Sequence, residues 1–118
     1  MLGRVARVVA VDGPGGLVHL LLTHDGGAVS TVSLALDAPP AAVAGEFVLY
    51  GENGVEPVPI PDGSPATAFG VAIDQLLAEN DAGTRDHRCD VRFGREVVAV
   101  LAAAEAARAQ ATPVDLPS

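Results

Sequence analysis

The stretch LVHLLLTHDGGAVSTVSLAL, Leu17–Leu36, decides how this chain folds. Two runs rich in Leu, Val and Thr flank Asp25-Gly26-Gly27, and an Asp-Gly pair between two β-forming runs is a strong hairpin signal. The spacing therefore predicts strands over LVHLLLTH (Leu17–His24) and AVSTVSLAL (Ala28–Leu36). Upstream, GRVARVVAVD (Gly3–Asp12) reads as a further strand, ended by Gly-Pro-Gly-Gly, residues suited to turns. Downstream of an Ala-Pro-Pro-Ala break, EFVLYG (Glu46–Gly51) and VEPVPIP (Val55–Pro61) flank Glu52-Asn53-Gly54, a second hairpin signal. Prolines at 57, 59 and 61 place that last strand at a sheet edge, because proline has no N–H for a ladder.

Helical periodicity takes over near residue 65. Ser64 is placed as an N-cap and Pro65 at the first helical position. Phe69, Ile73, Leu76 and Leu77 then recur at i, i+4, i+7 and i+8, one face of a helix over about 65–80. A second helix is expected over about 91–110, capped by Asp90, with Val97, Val98, Leu101 and Ala104 turned inward. The tail PVDLPS reads as short and extended. Five strands joined largely by hairpins, then two helices, predict an α+β fold. The expectation is one domain over 1–118, a mostly antiparallel five- to six-stranded sheet with two helices packed on one face.

The strands carry a second message. Val5, Val9 and Val11 alternate with Ala6, Val8 and Ala10, and Leu20, Leu21 and Leu22 are consecutive, so both faces of the sheet are apolar. A sheet solvated on one side shows clean alternation instead. Helices on one face leave the other to be buried against another chain or a ligand, which points to a homodimer or higher homo-oligomer through the sheet.

Composition excludes several classes of function. The 118 residues include 15 acidic and 7 basic side chains, a formal charge of −8, with no lysine and no tryptophan. Such a chain repels nucleic acid and offers no basic stripe for phosphates. No apolar run approaches the ~20 residues of a membrane span, and MLGRVARVVAV reads as a strand, not a leader. One cysteine forms no internal disulfide, which fits a cytoplasmic location.

The segment DHRCDVRFG (Asp86–Gly94) gathers two aspartates, a histidine and the lone cysteine. A zinc site needs a second ligand pair elsewhere, and the chain has none, so no metal is assigned and Asp90 is read as a helix cap. Cys89 beside His87 is a weak nucleophile pair, two residues apart at a helix entrance. Arg85, Arg88, Arg92 and Arg95 interleave with Asp81, Asp86, Asp90 and Glu96, the pattern of a solvated, salt-bridged face. His19 and His24 stand on opposite strand faces, and His24, beside the turn, is expected in solvent. His19 lies among Leu17, Leu21 and Thr23, with Ser30, Thr31 and Ser33 on the next strand to sit across from it. These four polar residues, His19, Ser30, Thr31 and Ser33, are the ligand-binding candidates, and His19 the candidate general base.

From its second helix the chain resembles a known family. CDVRFGREVVAVLAAAEAARAQATPVDLP (Cys89–Pro117) is similar to the end of the Gfo/Idh/MocA oxidoreductases, where an acidic residue and a Phe-Gly pair lead an Ala- and Leu-rich helix into a short strand. GEFVLYGENGVEPVPIP (Gly45–Pro61), HDGGAVSTVSLAL (His24–Leu36) and GRVARVVAVDG (Gly3–Gly13) resemble its strand–turn–strand unit, its long hairpin and its first sheet strand. The likeness covers about residues 3–117. It implies the family's C-terminal sheet domain without the dinucleotide-binding domain. No G-x-G-x-x-G opens a helix, the family's nicotinamide-side lysine is absent, and its Asp-x-x-x-His helix would fall just before residue 1. No residue carries over as catalytic or cofactor-binding, and no cofactor is expected. The resemblance implies a non-redox accessory or binding module. The alternatives are a small cofactor-independent cyclase or isomerase around His19, or an oxidoreductase fragment working with a separate Rossmann-domain partner.

Overall fold

The Asp25-Gly26-Gly27 loop closes as its sequence demands. The Gly27 N–H donates to the His24 carbonyl and the His24 N–H to the Ala28 carbonyl, both at 2.9 Å. Gly27 takes a φ of +82°, a left-handed conformation that follows a tight turn at little steric cost only in glycine. The structure, a computed structural model, describes residues 2–35, 37–39, 41, 45–59, 64–83 and 90–117. Its elements are β1 (Val5–Asp12), a short 3₁₀ turn (Pro14–Gly16), β2 (Leu17–His24), β3 (Val29–Ala35), β4 (Phe47–Gly51), β5 (Gly54–Val58), α1 (Pro65–Asp81), α2 (Val91–Gln110) and β6 (Val114–Asp115).

The expected α+β arrangement with antiparallel pairing is present, with six strands divided between two sheets. One sheet has the order β3-β2-β1-β6, and β4 pairs only with β5. The chain correspondingly forms two compact units, Met1–Pro39 with Arg88–Ser118, and Pro40–His87. In the second unit, β4 and β5 meet through the two-residue turn Glu52–Asn53, with Gly51 opposite Gly54. The positive φ falls on Gly54 at +121°, not on Asn53. Pro57 sits opposite Val48 in this two-stranded ribbon, where every strand is an edge. Helix α1 begins where expected, with the Ser64 hydroxyl accepting from the Thr67 N–H at 3.2 Å and Pro65 leading the first turn. None of its residues is buried, and Phe69, Ile73, Leu76 and Leu77 remain 40–69% exposed.

In the first unit, α2 packs on one face of the four-stranded sheet, against β1 and β6. Asp90 caps it as read from the sequence, its Oδ1 accepting from the Arg92 and Phe93 N–H groups at 2.9 Å each. Of the residues expected inward, only Ala104 is buried. Ala103, Ala104 and Ala107 are buried and Val100 is half-buried, whereas Val97, Val98 and Leu101 are exposed. The reason is steric. The small side chains of Ala103, Ala104 and Ala107, in line with Val100, let the helix backbone approach Val8, the one large side chain fully buried among the described residues. Val5, Leu20, Leu22, Val114 and Leu116 close around that contact. Ala111 ends the helix in the left-handed region at φ 51°, and β6 then returns alongside β1, with the Leu116 N–H donating to the Ala6 carbonyl at 2.8 Å.

A second correction concerns β1. Val5 stands opposite His24 and Arg7 opposite Thr23, so Ala6 is an extra residue, a β-bulge. The bulge turns Val5 to the Val8 side of the sheet, where it joins the core instead of sharing a face with Val9 and Val11. The helix contact is the most sensitive point of this unit. Ala107→Leu is expected to lower unfolding stability by about 1–3 kcal/mol through overpacking against β1. Urea denaturation followed by circular dichroism measures it, with the exposed Val98→Ala as a near-neutral comparison.

Candidate functional site

The register of β1, β2 and β3 builds the second face of the sheet row by row. Val11, His19 and Ser33 form one row, Val9, Leu21 and Thr31 the next, and Arg7, Thr23 and Val29 a third, which Asp115 extends on β6. Leu17 and Ala35 complete the face at its far end. It lies opposite the α2 side, so its apolar groups stay open: Val11 is 60% exposed, Val29 57% and Leu21 41%. Both faces of the sheet are therefore apolar, and within the first unit α2 covers only one of them.

The four sequence candidates divide by strand parity. His19 and Ser33 face each other and touch, with His19 Nδ1 2.9 Å from Ser33 Oγ, both exposed. Either the ring N–H donates to the hydroxyl or the hydroxyl donates to the ring nitrogen, according to the tautomer. Thr31 lies on the same face one row away, beside Leu21. Ser30 does not belong to this group. It pairs with Leu22 on the α2 side, where its hydroxyl lies 2.8 Å from His24 Nε2.

His24 itself is buried, not solvated as its place beside the turn suggests. Its Nδ1 lies 2.9 Å from the Gly3 carbonyl oxygen, and the Asp25 N–H donates to the Arg4 carbonyl, so the N-terminal segment crosses over the ring. With both nitrogens engaged, His24 ties Gly3 and β3 to the end of β2 as a structural group.

One feature of the face has no simple signature in the sequence. Arg7 grips Asp115 bidentately, Nε to Oδ1 at 2.6 Å and Nη2 to Oδ2 at 3.1 Å, across 108 residues of chain. This hydrogen-bonded fork, more than charge alone, holds the Asp115 carboxyl below the usual aspartate range and raises the Arg7 guanidinium. The pair is solvent-exposed, and its main effect is to hold the two-residue strand β6 in register.

Elsewhere in the first unit, a cavity of about 310 Å³ opens at the end of β1, lined by Val11, Asp12, Arg108, Thr112 and Pro113 among others. Arg108 Nε meets Asp12 Oδ1 there at 2.6 Å, so its two charges satisfy each other, and His19 is not part of its wall. Among the described residues no three His, Cys, Asp or Glu side chains gather in a metal-binding group. Asp86, His87 and Cys89 lie outside the described residues, as do Arg85 and Arg88. Arg92 contacts Asp90 at 3.6 Å, a solvated pair of the expected kind. Among the described residues, no helix is long and apolar enough to cross a membrane.

Because the folded-state pKa of Asp115 is depressed, its contribution to stability is present above the unfolded carboxylate pKa and lost as pH falls through the folded value. The window lies at and below the ordinary aspartate range. NMR titration of the Asp115 carboxyl is expected to show a midpoint below that range in the native chain and a return to it in Arg7→Gln. An unchanged midpoint in the variant contradicts the assignment.

Compared with family models, curated proteins and solved structures, the chain matches none of them.

Proposed function

We propose that this chain is a non-redox binding or accessory module, derived from the C-terminal sheet domain of the Gfo/Idh/MocA oxidoreductases, that associates with a second copy of itself through the open face of β1, β2 and β3. The observation that carries this reading is the charge of that face. The chain has 15 acidic side chains and a net charge of −8, yet on β1, β2, β3 and the adjoining β6 only Asp115 of the acids occupies the open face, and Arg7 neutralises it. A face of exposed Val11, Leu21 and Val29 and half-buried Val9 and Leu17, with no net charge, meets its own copy without repulsion. Two such sheets stack about 10 Å apart in a face-to-face packing, and a two-fold axis makes the contact self-complementary.

In this reading the module works in the cytoplasm and holds no nicotinamide cofactor itself. A cofactor-independent cyclase or isomerase built on His19 would need an enclosed pocket there. His19 is exposed, and the cavity at the end of β1 does not include it, so self-association is the better-supported reading.

Multi-angle light scattering on the full chain at micromolar concentration and about pH 8 tests this. The expected mass is twice 11.9 kDa. Leu21→Glu should reduce it to the single-chain mass with unchanged circular dichroism, while Leu101→Glu on the outer stripe of α2 should leave it doubled. A wild-type mass of 11.9 kDa overturns the reading, and saturable NAD(P)H binding by this chain alone overturns its non-redox part.

A further inference from the structure

We propose that the self-association is released by acid through His19, among the described residues the one titratable group on the open face that no charged partner holds; this inference rests on the reading just given. The surroundings of His19 are specific. Across from it stand Val11 on β1 and Ser33 on β3, and Leu17 and Leu21 flank it along β2. The other charged groups on the face are Arg7 and Asp115, two rows away and bound to each other. Asp12, next to Val11, belongs to the opposite face and holds Arg108, and Asp37 lies against Gly16 before β2 begins. The elements that flank His19 in the sheet therefore supply no carboxylate directly opposite it.

A neutral imidazole suits a covered position. Its Nδ1 shares one hydrogen bond with Ser33, and its neighbours on the face, Val11, Leu17 and Leu21, are aliphatic. An imidazolium still donates to Ser33, but its second N–H and its charge require water or an anion. On the free chain His19 is exposed to solvent. Covered by a second copy, it faces the same neutral surface, so burial disfavours the charged form. The associated state then binds fewer protons than two separate chains, and association weakens as pH falls through the histidine range. A two-fold contact contains two copies of His19, so the effect enters twice.

With two buried imidazoles in each contact, the dimer Kd should rise by about 100-fold between about pH 8 and about pH 5.5. Sedimentation equilibrium of the full chain at both pH values measures this, alongside His19→Gln. The variant keeps an uncharged hydrogen-bonding side chain opposite Ser33, along with His24, His87 and every carboxylate. It should remain associated at both pH values with nearly equal Kd. A wild-type Kd that stays constant or tightens on acidification overturns the inference while leaving the self-association standing. So does a pH dependence that survives in His19→Gln. A wild-type chain that is monomeric at about pH 8 overturns instead the reading on which the inference rests.

Discussion

The close approach of α2 to β1 is the constraint on which the first unit depends. Ala103, Ala104 and Ala107 present almost no side-chain bulk, so the helix settles against Val8 at a distance a leucine stripe would not permit. That contact brings β6 beside β1 and makes β1 an interior strand between β2 and β6. Three exposed ion pairs, Arg4–Glu96, Arg108–Asp12 and Arg7–Asp115, fasten β1 and the segment before it to α2 and β6. Exposed pairs of this kind contribute little stability, but their geometry fixes register.

The same contact determines what is left open. One helix lies along β1 and covers one face of the sheet, and its larger residues, Phe93, Val97, Val98 and Leu101, point away from the sheet into solvent. The first unit therefore shows two apolar surfaces, the far face of the sheet and the outer stripe of α2. They differ in chemistry. The sheet face combines aliphatic side chains with a hydrogen-bonded His19–Ser33 pair and a neutralised Arg7–Asp115 pair. The helix stripe is flanked by Arg92, Arg95 and Glu105 on a curved surface, which a flat two-fold packing matches less well.

Much of this was legible in the residues, and the limits have physical causes. The β2–β3 hairpin is visible because Asp25-Gly26-Gly27 interrupts two long β-forming runs, and the helix starts because Ser64-Pro65 and Asp90 have the chemistry of caps. The register also places His19 opposite Ser33, as alternation suggests, whereas Ser30 is lost to the other face by a single residue. Of the expected inward stripe of α2 only Ala104 is buried, because hydrophobicity favours the larger side chains while a close helix–sheet contact favours the smaller. The bulge at Ala6 leaves no mark in composition, and it alone moves Val5 into the core. The burial of His24 depends on Gly3 and Arg4 folding back over it. The pairing of Arg7 with Asp115 depends on tertiary closure across 108 residues, which no local pattern encodes.

The central claim is that the open face of the sheet, and not the outer stripe of α2, is the surface a second copy covers. Isotope-filtered NOE spectroscopy on a mixture of labelled and unlabelled chains observes that contact directly. The account expects intermolecular NOEs at the methyl groups of Val9, Val11, Leu21 and Val29. NOEs confined to Val97, Val98 and Leu101, or none between copies at all, would contradict it.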